Sequence, residues 1–210
     1  MAKNIEQECK WDATTRGTFK RFLEVLSQVG ARVKKGKQLC ITDCYLDDKK
    51  QRLSAQKVAL RVRRYGGRVE ATLKSRCRLQ NGLAVRKEFT WPLPQVRTSR
   101  GGIKQLAVRG VWEGICLKNL QVRFVIRNNR QLYLVQYGEC QCELALDNYL
   151  TLAGGHQMRR KEIELELKKG KQKDFIKLIE KIAACGCIKT AKTSKVAGAE
   201  KWISNKFRRN

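Results

Sequence analysis

Charged side chains recur at every second residue in several short stretches of this chain. Ile5-Glu6-Gln7-Glu8-Cys9-Lys10 sets Glu6, Glu8 and Lys10 two apart, and Leu60-Arg61-Val62-Arg63 does the same for two arginines. Glu70, Thr72 and Lys74 alternate with Val69, Ala71 and Leu73, and Arg86 stands two before Glu88. Glu143, Ala145 and Asp147 alternate with Cys142, Leu144 and Leu146; Glu162, Glu164 and Glu166 alternate with Ile163, Leu165 and Leu167. Side chains two apart on a strand share a face, so each stretch reads as a strand with one charged side. Glutamates at i, i+2 and i+4 repel one another unless a cation sits among them. Carboxylates offer hard oxygens to Mg²⁺ or Mn²⁺, and guanidinium forks match phosphate oxygens. A carboxylate cluster facing an arginine cluster therefore suits a metal-bound polyphosphate, and closing the sheet into a barrel would bring both into one cavity. The rival reading is a sandwich with one wet face. Against it, the first and last of these strands concentrate glutamate and the Leu60 strand arginine.

Around these strands the sequence predicts few helices. Phe19, Phe22, Leu23, Leu26 and Val29 recur at helical spacing with Gly30 as the cap, and Phe175, Ile176, Ile179 and Ile182 mark a second helix from Asp174 to Ala184. Turns are expected at Tyr65-Gly66-Gly67-Arg68, Asn81-Gly82, Asn128-Asn129 and Gly154-Gly155. Gln95–Leu120 reads as mixed, with helical content. One domain over residues 1–200 is expected, mainly β (α+β), with a short, basic, loosely held tail at 201–210.

Composition sets outer bounds. A chain of 210 residues with 42% hydrophobic and 31% charged residues has an ordinary globular make-up. No apolar run approaches the ~18 residues of a membrane helix, and Met1–Lys20 lacks a signal pattern, so no membrane partner and a cytoplasmic location are expected. Nine cysteines without a CxxC pair, and His156 as the only histidine, argue for reduced thiols and against zinc, at Cys140 and Cys142 as elsewhere. His156 reads as a loop residue and the tryptophans as packing residues. The net charge of +27 calls for a polyanion; polyphosphate or RNA is expected to bind the exterior weakly and in a salt-dependent way.

Glu6-Gln7-Glu8-Cys9-Lys10 resembles the ExExK signature of the CYTH superfamily, the triphosphate tunnel metalloenzymes. Tyr45-Leu46-Asp47, Leu53, Ala59-Leu60-Arg61-Val62-Arg63-Arg64 and Ala71-Thr72-Leu73-Lys74-Ser75 resemble the family's YxDT…L…ALRxR…TLK run at its usual spacing. Arg86-Lys87-Glu88 is similar to its RxE, Glu143–Asp147 to its ExxxD strand, and Ser194-Lys195 to its late SK pair. Ala153-Gly154-Gly155 followed by Glu162–Lys168 resembles the bacterial inorganic triphosphatase branch. Asp48 stands where the family usually has Thr, and Thr90 where many members carry Glu.

The resemblance implies a closed eight-stranded antiparallel β-barrel with helices packed outside, and divalent-metal-dependent hydrolysis of a triphosphate. It implies Glu6, Glu8, Glu164 and Glu166 as the metal cluster, with Glu162 beside them and Glu88 and Asp147 supporting a second metal or orienting water. Lys10, Arg61, Arg63, Lys74, Arg86, Arg127 and Lys195 would hold phosphate, Lys74 also serving in catalysis. Inorganic tripolyphosphate, split to phosphate and pyrophosphate with Mg²⁺ or Mn²⁺, is the expected substrate. The absence of an evident aromatic slot in an almost wholly charged lining favours it. Nucleoside or thiamine triphosphate hydrolysis and class IV adenylyl cyclase activity are the alternatives within the family. A non-catalytic polyphosphate- or nucleic-acid-binding protein is the alternative of another class.

Overall fold

Strands that are apolar on one side and charged on the other must bury the apolar side against something. In the computed structural model, which describes residues 2–75, 78–80, 83–93 and 120–207, they bury it outward. The elements are β1 (Ala2–Asp12), α1 (Thr18–Gln28), β2 (Arg32–Asp47), α2 (Arg52–Ala55), β3 (Ala59–Tyr65), β4 (Arg68–Lys74), β5 (Arg78–Gln80), β6 (Leu83–Leu93), β7 (Gln121–Tyr137), β8 (Cys140–Ala153), β9 (His156–Lys169), α3 (Gln172–Ala184) and α4 (Lys195–Phe207). The strands hydrogen-bond in the order β1-β9-β8-β7-β2-β3-β4-β6, and β6 returns to β1. That closes the expected eight-stranded barrel, with all of these pairings antiparallel and β5 hairpinned onto β6.

The main apolar core lies between the barrel wall and its helices. Cys9 and Trp11 of β1, Cys142, Leu144 and Leu146 of β8, and Ile163 and Leu165 of β9 meet Phe22, Val25 and Leu26 of α1 and Phe175, Leu178 and Ile182 of α3. Each fully buried side chain of this size contributes about 1.5–3 kcal/mol. The Trp11 and Phe22 rings pack tilted at 4.8 Å. A second core on the outer side of β2, β3 and β4 joins Leu46, Leu60, Val62, Ala71 and Leu73 to Leu53 of α2.

Tyr65-Gly66-Gly67-Arg68 joins β3 to β4 and Gly154-Gly155 joins β8 to β9, with all four glycines at positive φ, as the turn residues predict. Two expectations need correction, and two lie outside the described residues. Asn128-Asn129 is no turn: both residues lie inside β7, paired to Ile41 and Cys40 on one side and to Tyr149 and Asn148 on the other. Ladder bonds on both edges override their turn preference, and the chain reverses at Gly138-Glu139 instead. The tail expected after Lys201 is helical, because α4 runs to Phe207 and packs Trp202 and Ile203 against the barrel. The Gln95–Leu120 reading and the Asn81-Gly82 turn lie outside the described residues, apart from Leu120, which packs on the second core.

Candidate active site: a charged tunnel lumen

The register decides which side chains share the lumen. Glu8 faces Glu166 and Lys10 faces Glu164 across β1–β9; Glu6 faces Arg86 across β1–β6; Asp147 faces Glu162 across β8–β9 and Arg130 across β7–β8. Lys74 faces Glu88 across β4–β6, and Arg63 faces Asp43 across β2–β3. Ordinary barrels of this strand number fill with apolar side chains. This one fills with charge.

The charges form one chain of contacts around the wall. Lys195 Nζ lies 2.7 Å from Asp147, which receives a bidentate fork from Arg130 at 2.7 Å per bond; Arg130 also reaches Glu164 at 2.5 Å. Glu164 contacts Lys10 at 2.5 Å, Lys10 contacts Glu8 at 3.2 Å, and Glu8 takes Arg86 Nη2 at 2.5 Å. Arg86 donates to Glu6 as well, Lys74 lies 3.2 Å from Glu6 and 2.7 Å from Glu88, and Thr90 Oγ1 donates to Glu88 at 3.2 Å. Thr90 meets Thr72 at 3.2 Å, Arg61 donates to Thr72 at 3.3 Å and approaches Asp43 at 3.9 Å, and Asp43 accepts a fork from Arg63 at 2.8 Å per bond.

Burial inside this ring moves the protonation equilibria. Burial pushes the Glu6 carboxyl up, but Lys74 and Arg86 outweigh it and hold it well below the carboxylate range. Glu164 stays low for the same reason under Lys10, Lys195 and Arg130. Glu162 goes the other way: burial and the neighbouring Glu164 charge raise it despite Lys195 and Lys10. Glu166 is raised by burial and, against Lys168, by Glu6 and Glu8. Among the lysines, Lys10 and Lys195 are raised by their carboxylates against the burial penalty. Lys74 is lowered, first by burial and then by Arg86 and Arg61.

Of the residues expected from sequence, Glu6, Glu8, Lys10, Arg61, Arg63, Lys74, Arg86, Glu88, Asp147, Glu162, Glu164, Glu166 and Lys195 line this lumen. Glu88 and Asp147 do not sit together as a second pair: Glu88 belongs with Lys74 and Thr90, Asp147 with Arg130 and Lys195. Arg127 lies on the wrong side of the wall. It is exposed, and it pairs with outward-facing Thr42 and Leu150. The β7 arginine of the lumen is Arg130, three residues on and therefore on the opposite face, which the sequence reading missed together with Asp43.

The lining is also less uniform than expected. Tyr45 and Phe124 stack at 4.7 Å and 18° at one end of the lumen, with Tyr149 beside them. Val196, Ala199, Trp202 and Ile203 of α4 cover this cluster, so it is packed rather than open. Ser194 Oγ accepts from Ala197 N at 3.2 Å at the start of α4, and Lys195 projects from that first turn to Asp147, Glu162 and Glu164. Two other family positions hold local structure. Asp47 accepts from the backbone N–H groups of Asp48, Leu53 and Ser54, and Asp48 from that of Arg52, bracing α2.

The lumen chemistry fits a hard divalent cation. Glu8 and Glu166 are direct cross-strand partners with Glu6 two residues along; Glu166 is raised first by burial and then by the charges of Glu6 and Glu8. Among the described residues no three carboxylates converge as a ready-made metal nest; the chain's own cations engage them instead.

The chain belongs to the CYTH family: the model of the CYTH domain matches residues 4–197. It is similar to an inorganic triphosphatase of Haemophilus influenzae, 30% identical over 144 residues, which are 68% of this chain but only 40% of the relative's length. A Hippeastrum protein described as an adenylyl cyclase with dominant triphosphatase activity shares the fold at TM-score 0.63 and 20% identity, covering 93% of this chain and 95% of its own. A Bacillus halodurans protein described as a candidate adenylate cyclase matches at TM-score 0.63 and 20% identity over 94% and 98% of the two chains. A Pyrococcus horikoshii protein matches at 0.60 and 18% over 91% and 96%.

Proposed function

We propose that this protein hydrolyses inorganic tripolyphosphate to phosphate and pyrophosphate inside the tunnel, with Mg²⁺ or Mn²⁺ on the lumen glutamates. The observation that carries the reading is the chain of interleaved carboxylates and cations around the lumen of the closed barrel. Pure anion binding gains nothing from buried glutamates, whereas a metal-bound triphosphate uses both signs. The family's inorganic triphosphatase from Haemophilus influenzae supports the choice of substrate.

Glu6, Glu8 and Glu166, with Glu164 next along β9, would hold the cation. A bound cation would supply positive charge there to offset that of the phosphates. Arg61, Arg63, Arg86, Arg130, Lys10 and Lys195 take the phosphates by charge-assisted hydrogen bonds. Water adds to the terminal phosphorus as the bond to the bridging oxygen breaks, and pyrophosphate leaves with that oxygen. Lys74 is suited to protonate it, being the lumen lysine held below its ordinary value and lying 2.7 Å from Glu88. Glu88 keeps 18% side-chain exposure and so can orient the attacking water. Asp147 is fully buried, and its part is to fix Arg130 and Lys195.

Nucleoside or thiamine triphosphate would need a slot for a ring, and the lumen's aromatics are already packed under α4. Competition tests the choice. Tripolyphosphate and ATP are offered together at equal concentration and products are resolved by phosphorus NMR. Tripolyphosphate should have the higher kcat/KM by about tenfold or more, a difference of about 1.4 kcal/mol. Preferential loss of ATP, or appearance of cyclic AMP, would overturn the substrate assignment while leaving the fold untouched.

A further inference from the structure

The exterior carries a second arrangement of cations that the tunnel does not use. Arg64, Thr42, Arg127, Leu150 and Arg159 are successive cross-strand partners over β3, β2, β7, β8 and β9, forming one row across the outer wall. Neighbouring strands lie about 4.8 Å apart, so Arg64, Arg127 and Arg159 stand about 10 Å from one another along it. The next row holds Cys40, Asn129, Asn148 and Lys161. Arg127, Asn129, Asn148, Leu150 and Arg159 line a shallow cavity of about 380 Å³ in this wall; Tyr149, which also borders it, is buried against Tyr45 and Phe124 and is not free to stack on a base. Arg127 and Arg159 are exposed and have no acidic partner among the described residues, and one guanidinium nitrogen of Arg64 is buried with no hydrogen-bond partner. Outward positions of segments 40–42, 125–129, 148–152 and 157–161 include no aspartate, glutamate or aromatic residue.

We infer that this row is a binding site for linear inorganic polyphosphate, separate from the lumen and independent of its chemistry. Three guanidinia in line, flanked by asparagine amides and a threonine hydroxyl, offer donors along about 20 Å of wall with no acid to repel a continuous anion. Single-stranded RNA would share the charge but would present bases, and the row has no aromatic platform on which to stack them. A base-free phosphate chain asks only for what is there. The site also gives the unpaired surplus of a +27 chain a defined place instead of a diffuse halo.

Fluorescence anisotropy of end-labelled linear polyphosphate, over a salt series, reads the affinity. The double variant Arg127→Glu/Arg159→Glu is expected to bind about tenfold or more weaker and to lower the salt slope by about two. Its melting temperature and its tripolyphosphate turnover should match the parent. Reversing two exposed lysines on α3, Lys173→Glu/Lys177→Glu, changes net charge equally and should leave most of the affinity. If reversal disturbs folding, Arg127→Gln/Arg159→Gln carries the same test with a smaller expected loss. Equal losses from the wall pair and the α3 pair would overturn the site, as would undiminished binding by the wall variant. Single-stranded RNA of matched charge binding as tightly as polyphosphate would overturn the ligand.

Discussion

Arg130 ties together lumen carboxylates of two neighbouring strands: it forks onto Asp147 and reaches Glu164. Replacing it with alanine removes charge-assisted bonds worth about 1.5–3 kcal/mol each, so kcat/KM should fall about 10- to 100-fold. It also leaves the fully buried Asp147 with Lys195 alone, which should lower unfolding free energy by up to about 3 kcal/mol. Arg127→Ala, on the outside, should keep the parent's kinetics and stability. Steady-state kinetics with denaturant melts compares the two, and an Arg127→Ala variant as crippled as Arg130→Ala would mean that the wall has been read inside out. Parity was the signal that could have chosen between them. Phe124, Ile126, Asn128 and Arg130 share a face of β7, but reading Asn128-Asn129 as a turn broke the count before it reached Arg130. Asp43 was hidden differently: it stands among Thr42, Cys44 and Tyr45 with no charged neighbour two residues away, and only its register with Arg63 reveals it.

Asp43 also gives a pH-dependent expectation. Burial raises its carboxyl, but Arg61 and Arg63 outweigh burial and hold it below the ordinary aspartate value. A carboxyl with a depressed folded pKa contributes stability that is present above its unfolded pKa and lost as pH falls through the folded one. Asp43→Asn should therefore be less stable at neutral pH, and its melting temperature should fall less steeply on acidification. A variant whose acid limb superimposes on the parent's would show that this pair is not a source of acid sensitivity.

At the scale of elements, α4 departs most from the sequence reading. Val196, Ala199, Trp202 and Ile203 carry a helical spacing, but Gly198 and the surrounding lysines diluted it, and the run after Lys201 looked merely basic. What makes it a helix is tertiary: an aromatic patch at the lumen end that needs a cover. The far end of α4 is fitted closely too, since a Cβ on Gly154 would come within 2.5 Å of the Phe207 ring at a backbone φ of +51°. α1 and α3 were legible because each buries one continuous apolar stripe, and the Gly-Gly hairpins because positive φ demands glycine. Ending the chain after Ser194 should expose Tyr45, Phe124 and Tyr149, remove Lys195 from Asp147, and produce binding of a hydrophobic dye with a clear loss of melting temperature. Trp202→Ala is the milder version; for a half-buried indole it should cost about 2 kcal/mol. A truncated chain that melts like the parent would show that α4 is only an appendage.

For the molecule as a whole, the arrangement inverts the usual barrel, with charge inside and the largest apolar core outside. Closure of the sheet lets both signs be buried, because β3 and β7 bring arginines, β8 and β9 carboxylates, and β1 and β6 both signs to the same cavity, and every named lumen carboxylate finds a cation. Alternation in the sequence shows each charged face. It does not show which faces meet, since register and closure are properties of long-range pairing. The central claim is that this lumen hydrolyses tripolyphosphate through its glutamates. Phosphate release from tripolyphosphate with Mg²⁺ or Mn²⁺, compared between the parent and Glu164→Gln, tests it most directly. The expected result is one phosphate and one pyrophosphate per tripolyphosphate from the parent, activity abolished by chelator, and a rate lower by ~10²-fold or more in a variant with unchanged circular dichroism. Full turnover by Glu164→Gln, or by the parent in excess chelator, would contradict it.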